Sequence, residues 1–269
     1  MKKMFDKAIK VIIKPEMMIL PGSLAFYIIL AIFPLLTILG YFGSNISSLA
    51  IYITSMINNY VPKEIGDILI SFIADEKITG NVVFFLIVGF YLASNGTASI
   101  VVTSNQLYNI EHASPIKRRI KAFIMILLLI IILVFMALIL AYGNLIIQKI
   151  ITLDPFYNIS KQIYFFFLLL KWPVSFICIF LVVKFIYTIA PDEFISSKFM
   201  NKGALFTTIG WIITTFIYSI YVSHFAHYSV FYGSISAIIA MMMWIYFLSY
   251  ILVFGIAINV LEHENKSVN

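Results

Sequence analysis

The chain has 269 residues, of which 62% are hydrophobic, 16% aromatic and only 11% charged. A soluble domain carries about a quarter charged residues, so this composition excludes an ordinary water-soluble globule, and the lack of any Gly/Ser-rich or charge-rich tract excludes a solvated tail. The formal net charge is +6, and the single Cys178 sits in an apolar run, so there is no disulfide framework. The chain reads as one all-α polytopic membrane domain spanning residues 1–269.

At the N-terminus, Phe5, Ile9, Ile12 and Ile13 fall toward one side of a helix and Lys3, Lys7, Lys10 and Lys14 toward another. Residues 1–20 therefore read as a cytoplasmic interfacial helix on anionic headgroups; a cytosolic amphipathic helix packed on the bundle has the same moment. A signal peptide is not indicated, because Asp6 and the lysines interrupt any apolar h-region.

A spanning helix needs roughly 20 mainly apolar residues. Six stretches qualify: 23–43, 82–102, 122–147, 163–190, 204–225 and 234–260. Their apolar runs are unbroken, which indicates helices and not the alternation of a barrel. Between the first two, residues 44–80 form an external loop too long for a turn. Ile46, Leu49, Ala50, Ile53, Ile57 and Tyr60 recur at helical spacing, and Ile65, Ile68, Leu69, Phe72 and Ile73 follow Pro62. Two short amphipathic helices are expected there; pattern alone leaves open whether the first is re-entrant.

The short loops set the orientation. Lys2, Lys3, Lys7, Lys10, Lys14, Lys117, Arg118, Arg119, Lys121, Lys198, Lys202 and Lys266 fall on one side, against Lys63, Lys77, Lys149 and Lys161 on the other. Twelve against four places both termini in the cytoplasm, and an even number of spans agrees with termini on one side.

Lys171 lies about 12 Å into a hydrocarbon core of about 30 Å. A lysine at that depth costs about 2.5–3.5 kcal/mol and usually faces a cavity or the bundle interior. No Asp or Glu falls in any span, so its partners are neutral polar groups, water or an external anion; the competing reading is a stem that snorkels to the outer headgroups. Lys184, nearer the cytoplasmic end, reads as an interface anchor. Span two and its end carry Ser94, Asn95, Gly96, Thr97, Ser99, Thr103, Ser104, Asn105 and Gln106. That density serves either close helix packing or a polar pathway, with Ser94, Asn95, Gly96, Asn105 and Lys171 as substrate-binding candidates. Pro34 and Pro173 are candidates for gating kinks. His224 and His227 stand among belt tyrosines, and two ligands fall short of a structural metal site; no metal or cofactor is expected.

Leu24-Ala-Phe-Tyr27 followed by Phe33-Pro34, Ser94-Asn-Gly96 through Asn105, Lys171-Trp-Pro173, Tyr187 to Pro191, Tyr232-Gly-Ser234 and Gly255-Ile-Ala-Ile-Asn259 together resemble the YihY / virulence factor BrkB family over residues 10–262. The resemblance implies a bacterial inner-membrane protein with six helices. Members of that family have also carried a ribonuclease BN label. Hydrolysis needs metal ligands or a positioned acid and base, and the spans supply no carboxylate while the cytoplasmic loops stay short, so nuclease activity and nucleic-acid binding are not expected. The expectation is a transporter or lipid translocator of the plasma membrane, handling an anionic lipid or amphiphile through a polar cavity among spans one, two and four, with membrane lipids as partners and an oligomer compatible. The alternative is a non-transporting scaffold or envelope-integrity factor.

Overall fold

The computed structural model describes residues 19–31, 82–111, 113–129, 160–224 and 236–267, with isolated helical positions between 51 and 70. The N-terminal interfacial segment, Pro34, His227 and the last part of span three lie outside the described residues. Within them the fold is all-helical, without a strand. The elements are α1 (Ile19–Ala31), α2 (Val82–Tyr108), α3 (115–129), α4 (Ser160–Ile189), a 3-10 turn (Ser197–Met200) leading directly into α5 (Asn201–His224), and α6 (Ser236–Ser267). Among the described residues, three segments, Ile87–Tyr108, Ser197–Val222 and Ile238–Glu264, are long and apolar enough to cross a membrane.

Local chemistry sets the helix ends that matter. After Tyr108, Asn109 takes a left-handed conformation, φ 56°, and the Ile110 amide closes back on the Asn105 carbonyl at 2.9 Å. Asn tolerates that region better than most residues, so α2 stops there. Ser114-Pro115 opens α3: proline needs no amide partner in a first turn, and the Arg118 amide donates to the Ser114 carbonyl at 3.0 Å. Pro191 cannot continue α4.

Lipid supplies little hydrophobic drive between helices, so close packing and interhelical hydrogen bonds hold the bundle. Both operate where α4, α5 and α6 meet. A Cβ on Gly203 would land on the Gly255 carbonyl and the Asn259 carboxamide, and one on Gly255 would meet the hydroxyls of Tyr187 and Thr207. The fully buried Tyr187 hydroxyl donates to the Leu252 carbonyl at 2.7 Å and shares a hydrogen bond with Thr207 at 2.6 Å. The Gly203 amide donates to Asn259 at 2.8 Å. Around this seam, Leu24 of α1, Val101 of α2, Met125 of α3 and Val253 of α6 form one core. A second cluster joins Ala25, Tyr218, Val222, Ala240, Met241 and Ile245, with Leu69 of the loop packed against it. That contact places part of the helical loop on the bundle. Outward, Ile209, Ile213, Phe216, Ile217 and Ile220 of α5 are exposed, a surface suited to lipid and not to water.

Contacts gather the C-terminal ends of α2, α4 and α6 with the N-terminal ends of α3 and α5. Lys121 of α3 meets Asp192 just past α4, Lys202 of α5 meets Glu262 of α6, and His263 of α6 lies edge-on to Tyr108 and Phe199. This is the basic end of the molecule.

Candidate functional site

Two polar assemblies stand side by side at the basic end. One is a clamp. The Asp192 carboxylate accepts from Lys121 Nζ at 2.9 Å, the Ala113 amide at 3.2 Å and Asn105 Nδ2, while the Asp192 amide donates to Asn105 Oδ1 at 2.9 Å. Lys121 Nζ also donates to the carbonyls of Ala190 and Pro191. Burial alone would raise the Asp192 carboxyl, but the Lys121 ammonium and the amides of Ala113 and Asn105 outweigh it and hold the group below its ordinary value. The clamp ties the end of α2, the start of α3 and the loop after α4 together, and every polar partner in it is used.

The other assembly is a cavity of about 350 Å³. Leu20, Ser23 and Tyr27 of α1 form one wall, Asn95, Ala98, Ser99 and Val102 of α2 a second, and Pro115, Arg118 and Arg119 of α3 a third. Spacing explains the α2 wall: positions 95, 98, 99 and 102 share one helix face. The hydroxyls of Ser23 and Ser99 lie 3.4 Å apart across it. Arg119 donates to the Asn95 side-chain oxygen. Its guanidinium sits 4.3 Å from the centre of the Tyr91 ring and 5.1 Å from that of Phe123, geometry that holds a cation without neutralising it. The ion pairs among the described residues are Lys121–Asp192 and Lys202–Glu262, so neither cavity arginine is paired with a carboxylate there. Arg118 also closes the first turn of α3, with Arg119 next to it, at the helix end where the dipole favours negative charge. An anion entering the cavity would relieve both conditions, whereas among the described residues no three His, Cys, Asp or Glu side chains converge to hold a metal.

The candidates from sequence separate on this geometry. Asn95 is on the cavity wall. Its neighbours turn away: Ser94 is fully buried and donates to the Tyr91 carbonyl at 2.7 Å, and a Cβ on Gly96 would lie 4.0 Å from Ile28 of α1. Asn105 belongs to the clamp. Pro173 sits inside a continuous α4, on its exposed side. Lys171 is within the α4 backbone, but its side chain, like that of His224, lies outside the described residues. The described cavity is walled by spans one, two and three, where the sequence pointed to one, two and four. Arg118 and Arg119 were legible only as topological charges; the face that Asn95 and Ser99 share on α2 is the one pattern in the sequence that bears on their partners.

The family model for virulence factor BrkB matches residues 8–269. A Bacillus subtilis (strain 168) protein described as putative ribonuclease-like protein YfkH is 31% identical over 256 residues, covering 92% of this chain and 90% of that one. UPF0761 membrane protein PSHAa0171 of Pseudoalteromonas translucida (strain TAC 125) is 38% identical over 68 residues, 25% of this chain and 22% of that protein. No solved structure matches the chain. With a family match over nearly its whole length and helices apolar enough to cross a bilayer, the chain belongs to the virulence factor BrkB family of membrane proteins.

Proposed function

We propose that the protein is a six-span transporter or lipid translocator of the bacterial inner membrane, with both termini cytoplasmic, that handles an anionic amphiphile through the cavity between α1, α2 and α3. The observation that carries this reading is the pair of guanidiniums, Arg118 and Arg119, facing a polar hollow with no described carboxylate to neutralise them. A membrane protein that keeps such charge at the edge of the hydrocarbon has a use for it. Lys171 extends the reading: an ammonium deeper in the bilayer continues a path that favours negative headgroups. In this reading the protein is not an enzyme and needs no cofactor, because its spans carry cations and hydroxyls but no acid to activate water. The ribonuclease-like description belongs to the Bacillus relative.

A scaffold is favoured by one observation, that Ser94, Thr97 and Asn105 all spend their polar groups on contacts within the bundle. Reconstitution separates the two. The full chain in proteoliposomes is expected to move a fluorescent phosphatidylglycerol between leaflets faster than protein-free vesicles do, and Lys171→Ala and Lys171→Glu are expected to slow it while the protein stays folded in detergent. Flux equal to empty vesicles refutes transport; unchanged flux in both variants removes Lys171 from the path.

A further inference from the structure

The α2 face that lines the cavity does not end at Asn95. Phe84, Ile87 and Tyr91 precede Asn95, Ser99 and Val102 at steps of three and four, so one side of a single helix runs from an apolar half to one that carries the polar groups of Asn95 and Ser99. The apolar half is open to the surroundings: Phe84, Ile87 and Tyr91 are 60%, 66% and 52% exposed. Where the two halves meet, the Arg119 guanidinium rests over the Tyr91 ring and bonds Asn95. An amphiphile has that same division along its length.

Donor chemistry narrows the headgroup. The Tyr27 hydroxyl comes from α1, the Asn95 amide and the Ser99 hydroxyl from α2, and two guanidiniums from α3, while the Ser23 hydroxyl donates to the Leu20 carbonyl at 3.0 Å. Donors approaching from three helices suit a tetrahedral oxyanion, whose acceptors point in several directions, better than a planar carboxylate. Guanidinium forks are also matched to phosphate oxygens. Size narrows it further. At about 350 Å³, the cavity is at the small end of the range of about 300–1,000 Å³ that encloses a drug-sized ligand. It has room for a headgroup and none for acyl chains.

We infer that the cavity binds the phosphate of a phospholipid presented from the leaflet at the basic end, with the acyl chains lying outside along Phe84, Ile87 and Tyr91. This rests on the proposed handling of an anionic amphiphile and names its headgroup, its leaflet of entry and its anchoring residues. The arginines hold the phosphate, Tyr27 and Ser99 complete its coordination, and Tyr91 marks the level at which headgroup gives way to chain.

The test is direct binding to the purified full-length protein in detergent, with four probes: dioctanoyl phosphatidylglycerol, dioctanoylglycerol, glycerol phosphate and inorganic phosphate. The phosphatidylglycerol is expected to bind and the other three to bind at least about tenfold more weakly. Hydrogen bonds to charged groups contribute about 1.5–3 kcal/mol, so Arg118→Ala/Arg119→Ala is expected to weaken the lipid about 10- to 100-fold or more. Ala98→Leu, which fills the hollow and keeps every charge, is expected to weaken it comparably, and Lys198→Ala to leave it unchanged. Inorganic phosphate or glycerol phosphate binding as tightly as the lipid would assign the cavity to a soluble phosphate and overturn the inference, as would dioctanoylglycerol binding equally well. Wild-type affinity in both cavity variants overturns it too. Arginine-dependent binding without leaflet exchange would keep the site and remove transport; exchange indifferent to the arginines and to Ala98→Leu would do the reverse.

Discussion

Replacing Asp192 by Asn keeps the size of the side chain and removes its charge. The carboxylate has two oxygens for three donors, Lys121 Nζ, Asn105 Nδ2 and the Ala113 amide. An amide has one oxygen, so it must turn its NH2 toward at least one of those donors, and whichever way it turns Lys121 loses its charged partner and keeps the carbonyls of Ala190 and Pro191. Removing one partner of a fully buried pair costs about 3–5 kcal/mol, while exposed pairs contribute about 0–1 kcal/mol. With side chains 23% and 9% exposed for Lys121 and Asp192, this pair lies between, and a loss of about 2–3 kcal/mol follows, or roughly 5–10 °C in Tm for a chain of this size. The pH dependence gives a sharper check. Because the folded carboxyl is held below its ordinary value, the unfolded chain takes up the proton first as pH falls. The stabilisation is complete above the unfolded pKa of about 3.9 and is lost as pH falls through the folded value. Thermal unfolding in detergent at several pH values, wild type against Asp192→Asn, measures both effects. A gap under about 0.5 kcal/mol at neutral pH, or one that persists undiminished at about pH 3, refutes the clamp as an ionic device.

Gly255→Ala is expected to be among the most damaging small substitutions in the bundle, since its Cβ would meet the hydroxyls of Tyr187 and Thr207. Overpacking of this kind costs about 1–3 kcal/mol, read as a lower melting temperature and loss of the monodisperse peak in detergent; an unchanged Tm would show that the helices separate without strain. Lys202→Ala is expected to shift stability by less than about 0.5 kcal/mol, because Lys202 is 59% exposed despite its 2.6 Å contact with Glu262.

Apolar runs and the distribution of lysine and arginine exposed the helical membrane character, because a span must satisfy its backbone internally and so advertises itself by length. The polar stretch of span two was visible as a density, but its division was not. Asn95 and Asn105 are the same residue type on the same helix, yet Asn95 turns to the cavity and the fully buried Asn105 to the Asp192 loop. Which way each turns depends on where α1, α3 and α4 pack around α2, a long-range fact that periodicity does not encode. The recognisable strings at Tyr187 and at Gly255 to Asn259 have a structural meaning here, since they meet at the seam of α4, α5 and α6.

The four basic residues after Ser114 look alike in sequence, as a positive-inside signal, but the fold gives them different work. Lys117 is exposed. Lys121 is consumed by Asp192 and two carbonyls, so its charge is balanced and its role is to join helices. Arg118 and Arg119, next to one another in α3, receive no described carboxylate and border a hollow. Had evolution needed only orientation in the membrane, lysines snorkelling at the surface would have served as well. Instead, one guanidinium is set between the rings of Tyr91 and Phe123 and steadied by Asn95. That arrangement fixes a planar donor in advance, which reduces the entropy lost when an anion arrives. Arg119→Lys should therefore preserve topology and net charge while losing headgroup affinity, because an ammonium there keeps the attraction and loses the fork. Retention of full affinity in Arg119→Lys would mean that the cavity attracts anions by charge alone.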